Sequence, residues 1–129
     1  MNAGAHQPTV TNIHTVAVPV EDQDRALEFY VGTLGFEKRR DTPFGESRWI
    51  EVAPAGATTS VALSPKRQGM AAGVDTGIRL TTPDAEAAHA ALIASGVEVD
   101  AAIMRIGDHV PPMFAFHDLD GNRLVMVQQ

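Results

Sequence analysis

The feature that most restricts how this chain can fold is a strand-to-helix unit that occurs twice. Ile13 to Val18 is a short, largely β-branched run stopped by Pro19. Asp22 or Asp24 then caps a helix in which Ala26, Phe29, Tyr30 and Leu34 recur at helical spacing. Gly35 ends that helix. A weaker copy runs from Gly77 to Val97, with Asp84 as its cap and Ser95-Gly96-Val97 answering Leu34-Gly35-Phe36. The chain therefore reads as a tandem of one βα-led unit.

Taken in order, the residues between the copies complete the units. Gly35 to about Thr42 is expected as a strand and Pro43 to Ser47 as a loop. Arg48–Ala53 and Thr58–Leu63 flank Pro54-Ala55-Gly56 as a hairpin. The first module is thus a βαβββ unit over residues 12–64, after a loose tail at 1–11. Residues 65–75, with Pro65, Gly69 and Gly73, form a linker. The second βαβββ module, 76–129, is expected to hold a strand near Thr76–Thr81, an alanine-rich helix to about Ser95 and a strand over Val97–Ile103. After a loop at Gly107–Pro112, Met113–His117 pairs with Arg123–Gln128 across an Asp120-Gly121 turn. The fold class is α+β: two tandem βαβββ modules with curled mixed sheets.

Composition narrows the chemistry. With 0 Cys there are no disulfides, thiolate metal sites or cysteine nucleophiles, which suits a reducing cytoplasm. The absence of a long apolar run predicts no membrane span, and the N-terminal residues lack both the basic start and the apolar core of a secretory signal. Asp and Glu number 16 against 10 Lys and Arg, a formal charge of -6, so the dense positive charge that nucleic-acid binding needs is missing. The basic cluster Lys38-Arg39-Arg40 reads as a solvated face. No phosphate loop, nucleophile elbow or triad spacing is present.

Val20-x-Asp22-x-Asp24-Arg25-Ala26-x-x-Phe29-Tyr30-x-x-x-Leu34-Gly35-Phe36, with the closing Phe116-x-Asp118-x-Asp120-Gly121-Asn122, resembles the vicinal oxygen chelate superfamily. That superfamily includes glyoxalases, extradiol dioxygenases, fosfomycin-resistance enzymes and bleomycin-binding proteins. The resemblance covers residue 12 to the end. It implies that the two modules form a cup, often by exchange between two chains, and hence a homodimer. It also implies a divalent ion held by His, Gln or Glu from four strands, because a Lewis acid with open positions can hold neighbouring substrate oxygens.

Carried over residue by residue, those four positions are nearly empty. The first falls on Thr15, with His14 one residue early; a slip of one turns a side chain to the other face unless a bulge corrects it. The others fall on Ala62, Gly77 and Val125, none of which can ligate a metal. A catalytic ion ordinarily needs about three protein ligands. Glu51, His109 and His117 are the residues that would join His14 if they meet in space, and His14 and Glu51 are also the candidates for metal-free acid–base catalysis.

The expected ligand-binding residues are Trp49, Arg79, Ser60, Ala62, Val125 and His109. By alternation Arg123 and Val127 share a face with Val125, Arg79 with Gly77, and Ser60 and Ser64 with Ala62. Either Trp49 and Glu51 or Arg48 and Ile50 face inward, and His109 lies on a loop able to cover the cup. A tryptophan floor with arginines suits a planar or anionic small molecule. The resulting expectation is a cytoplasmic, homodimeric small-molecule-binding protein with a metal-free cup and no cofactor, similar to the bleomycin-resistance branch and acting by sequestration or sensing. The alternative is a glyoxalase- or dioxygenase-type lyase or oxidoreductase, with a non-standard divalent metal site or an acid–base mechanism.

Overall fold

A computed structural model describes residues 7–66, 71 and 73–129 of the chain. The outermost part of the expected tail, residues 1–6, and most of the central linker, 67–70 and 72, lie outside the described residues. Residues 7–14 are exposed and carry no regular structure, so the first strand starts at Thr15 and not at Ile13.

The first half contains β1 (Thr15–Val20), α1 (Gln23–Leu27) continued by a π-helical segment (Glu28–Thr33), β2 (Glu37–Phe44), β3 (Ser47–Ala53) and β4 (Ser60–Pro65). The second contains β5 (Asp75–Thr82), α2 (Ala85–Ala94), β6 (Met113–His117) and β7 (Arg123–Gln128). Two sheets result, of order β1-β4-β3-β2 and β5-β7-β6. β1 runs parallel to β4, and β5 to β7; the remaining ladders are antiparallel.

Asp22 starts α1 by accepting from the backbone N–H groups of Asp24 and Arg25, and Asp84 starts α2 by accepting from that of Ala87. The π-helical segment directs the adjacent Phe29 and Tyr30 both into the core. Their faces meet Val18, Val20, Ile50, Val52, Val61 and Leu63 from the first sheet, and Phe114, Phe116 and Leu124 from the second, in one apolar cluster. Tyr30 packs edge-on against Phe29 and Phe36, with ring centroids 5.4 and 5.8 Å away.

A buried polar knot ties the two halves. The Tyr30 hydroxyl donates to Asp118 Oδ2 at 2.8 Å, and Asn122 Nδ2 donates to the same oxygen at 2.9 Å and to the Pro19 carbonyl at 2.8 Å. Asp118 Oδ1 takes the backbone N–H groups of Asp120 and Asn122. Every donor of this buried carboxylate is thus fixed by the turn it closes or by the facing helix.

Two elements differ from expectation. The expected loop at Pro43–Ser47 is a two-residue turn, because β2 continues through Pro43 to Phe44, which pairs with Ser47. Pro43 is tolerated since β2 is an edge strand, and Gly45, at φ 62°, begins the turn. The strand expected over Val97–Ile103 is reduced to isolated bridges at Val99 and Met104. There the Asp100 side chain accepts from the Ala115 N–H at 2.9 Å, taking the place of a backbone carbonyl and ending the ladder.

Candidate functional site

The first sheet presents two different faces. Ile50 and Val52 point to the helix, so alternation sends Trp49, Glu51 and Ala53 to the opposite, open face. Glu51 is the register partner of Ala62, and Thr15 that of Ser60, which brings Thr15, Ser60 and Ala62 to the same face.

Glu51 is the centre of this face. It is only 5% exposed yet accepts three hydrogen bonds: Oε2 from Trp49 Nε1 at 2.6 Å and from His14 Nε2 at 3.2 Å, and Oε1 from the Ser60 hydroxyl at 2.8 Å. Burial pushes its pKa up, but the hydrogen bonds from Trp49, Ser60 and His14 more than offset this and hold it below the usual carboxylate range. Glu51 is therefore an ionised, acceptor-only group at neutral pH. It fixes the orientation of the indole. Trp49, the one tryptophan of the chain, also meets Phe44 edge-on at 5.5 Å. The two rings border a cavity of about 270 Å³ that Ser47, Ala62, Ser64 and Lys66 also line.

His14 reaches this cluster because it precedes the strand. Outside the β1 ladder it is not bound by alternation, and although its carbonyl accepts from the Ser60 N–H, its imidazole lies against Glu51. Its side chain is 71% exposed.

Ser60 and Arg79 line a second cavity, about 220 Å³, between the first sheet and β5. Arg79 is exposed and is the register partner of Val125, which is also that of Ala115 on β6. Val125 and Arg79 therefore belong to the open face of the second sheet, while Leu124 is buried in the core behind it. Arg123 on that face is paired with Asp75 at 3.4 Å.

The suggested gathering of Glu51, His109 and His117 around His14 does not occur. Only Glu51 meets His14. His109 is exposed in the loop between the Met104 bridge and β6. His117 sits in a separate cleft with Glu28, Phe29 and Glu98, where its Nδ1 is 3.1 Å from Glu98 Oε2 but lacks hydrogen-bond geometry. Among the described residues no three His, Asp or Glu side chains are grouped to hold an ion. The four carried-over positions do not fit a chelate either. Thr15 gives its hydroxyl to the Ser60 carbonyl, and Ala62 and Val125 have no donor atoms. Gly77 has φ 72° at an irregularity in the β5–β7 ladder, a backbone that a histidine would adopt only under strain.

Arg40, read from the sequence as part of a solvated basic face, is exposed, and a bulge decides which face of the sheet it takes. In the β2–β3 ladder Lys38 pairs with Val52 but Arg40 with Glu51, so Arg39 is an inserted bulge residue. Alternation counted through Lys38-Arg39-Arg40 would put the first and third side chains on one face. The bulge instead sends Lys38 to the helix side, 3.7 Å from Asp41, and Arg40 to the open face. Nothing in the local sequence marks the insertion.

A two-layered α+β chain with parallel β1–β4 and β5–β7 pairs and an open face on each sheet defines the class of small proteins built from paired βα-led modules. The chain belongs to the Glyoxalase/Bleomycin resistance protein/Dioxygenase superfamily, whose family model matches residues 12–126. It is similar in structure to TnmS3, an antibiotic binding protein from Streptomyces sp. CB03234, at 35% identity over 95% of this chain and 98% of that one, with a TM-score of 0.82. A superfamily member from Sphaerobacter thermophilus DSM 20745 is also 35% identical, over 93% of this chain and 98% of that one, with a TM-score of 0.85. The Bacillus subtilis (strain 168) protein YetH is 47% identical over 58 residues, 44% of this chain. The match spans 48% of YetH, about half its length.

Proposed function

We propose that this protein binds a small organic molecule on its open face without a metal ion, sequestering or sensing it as TnmS3 binds an antibiotic. The observation that carries the reading is the indole of Trp49, held by the buried Glu51 carboxylate beside Phe44 over a cavity of about 270 Å³. A rigid aromatic corner with a few polar groups favours ligand binding, because the ring is oriented before the ligand arrives. Thr15, Ala62, Gly77 and Val125, standing where a metal enzyme of the family carries ligands, support the metal-free part. We further propose a cytoplasmic homodimer, in which the open face of one chain's first sheet and the second sheet of another share a cup. No helix among the described residues is long and apolar enough to cross a membrane.

The second reading, a glyoxalase- or dioxygenase-like enzyme working by acid–base chemistry, is favoured by one contact. His14 keeps an exposed imidazole against an ionised carboxylate, an arrangement that orients a ring for proton transfer.

Elemental mass spectrometry of the native protein, followed by Ni, Zn, Mn and Fe(II) titrations read by Trp49 fluorescence, separates the readings. The first predicts no stoichiometric metal and no change in emission, together with quenching by planar organic compounds. Near-stoichiometric metal that disappears in His14→Ala would overturn it. Turnover of a vicinally oxygenated substrate by metal-free protein, lost in His14→Ala, would establish the second.

A further inference from the structure

We propose that the open face of the first sheet selects planar aromatic ligands bearing a negative group, with the ring against Trp49 and Phe44 and the negative group on Arg40. This rests on the ligand-binding reading above and adds the chemical class of the ligand.

Two observations carry it. The bulge at Arg39 puts Arg40 in register with Glu51 and Thr42 in register with Trp49, so Arg40 and Thr42 share the face of the indole. Arg40 then stands two residues along β2 from Thr42, about 7 Å at strand spacing, a distance that one aromatic ligand spans.

Arg40 is also unspent. Arg39 donates to the Pro54 and Ala57 carbonyls, and Arg48 bridges Asp24 and Asp41. Arg40 is exposed and forms no ion pair among the described residues. Although Glu51 is its cross-strand partner, that carboxylate is turned to Trp49, Ser60 and His14. An exposed guanidinium offers a planar, bidentate fork to a carboxylate or sulfonate.

The cations that border the cavity, Arg48 and Lys66, are already paired, Arg48 with Asp24 and Asp41 and Lys66 with Glu21, which leaves Arg40 as the cation of this face without an ion pair among the described residues. A cationic ligand would find aromatic faces but no free carboxylate, since Glu51 is buried and already accepts three hydrogen bonds. The bulge and charge on β2 also discourage edge-to-edge association, which is a role they would have with no ligand at all.

The test uses three probes with one ring system: 2-naphthoate, 2-naphthalenemethanol and 2-naphthylmethylamine. Affinities are measured by isothermal titration calorimetry, and contact with the site by the single indole N–H resonance of Trp49. Naphthoate is expected to bind about fivefold more tightly than the alcohol, the upper end of what an exposed ion pair supplies, and the amine more weakly than either. Arg40→Gln is expected to reduce naphthoate to the affinity of the alcohol without altering the alcohol, Arg40→Lys to keep part of the preference, and Trp49→Leu to weaken all three.

Equal binding of the three probes by the wild type, or equal weakening of acid and alcohol by Arg40→Gln, overturns this inference and leaves ring binding standing. If no probe moves the indole resonance, the ligand-binding reading fails and takes the inference with it.

Discussion

Replacing Tyr30 by Phe isolates one hydrogen bond in the knot that joins the two halves. Tyr30 is fully buried, and its ring packing against Phe29 and Phe36 survives the change, so no cavity term enters. What is lost is the 2.8 Å donation to Asp118 Oδ2. A hydrogen bond to a charged group contributes about 1.5–3 kcal/mol; Asp118 keeps its bonds from Asn122 and two backbone amides, so the middle of that range, about 2 kcal/mol, is the expected loss. With an unfolding entropy of about 2.1 cal/mol/K per residue over this chain length, Tm should fall by about 7 °C. Differential scanning calorimetry reads it directly.

The pH dependence supplies an independent check on the same side chain. Burial raises the pKa of the Tyr30 hydroxyl, and the charge of Asp118 raises it further. A group whose folded pKa is raised contributes stability fully below its unfolded pKa, about 10, and that stability is lost as pH rises above it. The stability gap between wild type and Tyr30→Phe should therefore narrow above about pH 10. Since Tyr30 is the one tyrosine, ultraviolet absorbance should report directly that it stays protonated until unfolding. A Tm within about 2 °C of wild type, with an unchanged alkaline gap, would refute the assignment of the knot as the tie between the halves.

Other consequences follow from the open face and the strand ends. Glu51→Gln puts an amide donor among the Trp49, Ser60 and His14 donors and should cost about 1–3 kcal/mol at pH 7 by urea titration. Because the folded pKa of Glu51 is lowered, the stability it supplies is present above its unfolded value, about 4.3, and is lost as pH falls through the folded value, so the gap to Glu51→Gln should close in acid. Gly77→His should destabilise by about 1–2 kcal/mol in thermal melts through its positive φ; calorimetry should show no gain in zinc affinity, since no second ligand stands beside it. Asp22→Ala removes both side-chain bonds to the first turn of α1 and should cost about 1 kcal/mol.

Local rules carried the reading furthest where chain neighbours decide the structure. The caps at Asp22 and Asp84, the hairpin at Pro54–Gly56 and the alternation that groups Trp49 with Glu51 all depend on residues a few places apart. Which side of β3 faced the helix was not decidable locally, because Arg48 and Ile50 alternate as regularly as Trp49 and Glu51. Only packing against Phe29 and Tyr30 settles it. The face of Arg40 was hidden for a different reason: a bulge adds one residue and inverts the alternation, and the inserted Arg39 is held by carbonyls of the facing hairpin, far along the chain. The missing strand near Val99 had a similar cause, an aspartate side chain acting where a backbone carbonyl was expected.

The knot of Tyr30, Asp118 and Asn122 lies behind the sheets, and the candidate ligand residues lie in front. Most substitutions at Arg40, Ala62, Arg79 or Val125 thus leave the fold's main polar tie untouched, so the proposed binding face is free to change while the scaffold keeps its stability. Glu51 is the exception. It is at once a buried acceptor and the holder of the indole, so drift in specificity that passes through Glu51 must be accompanied by compensation elsewhere, and lineages altering their ligand should do so around it.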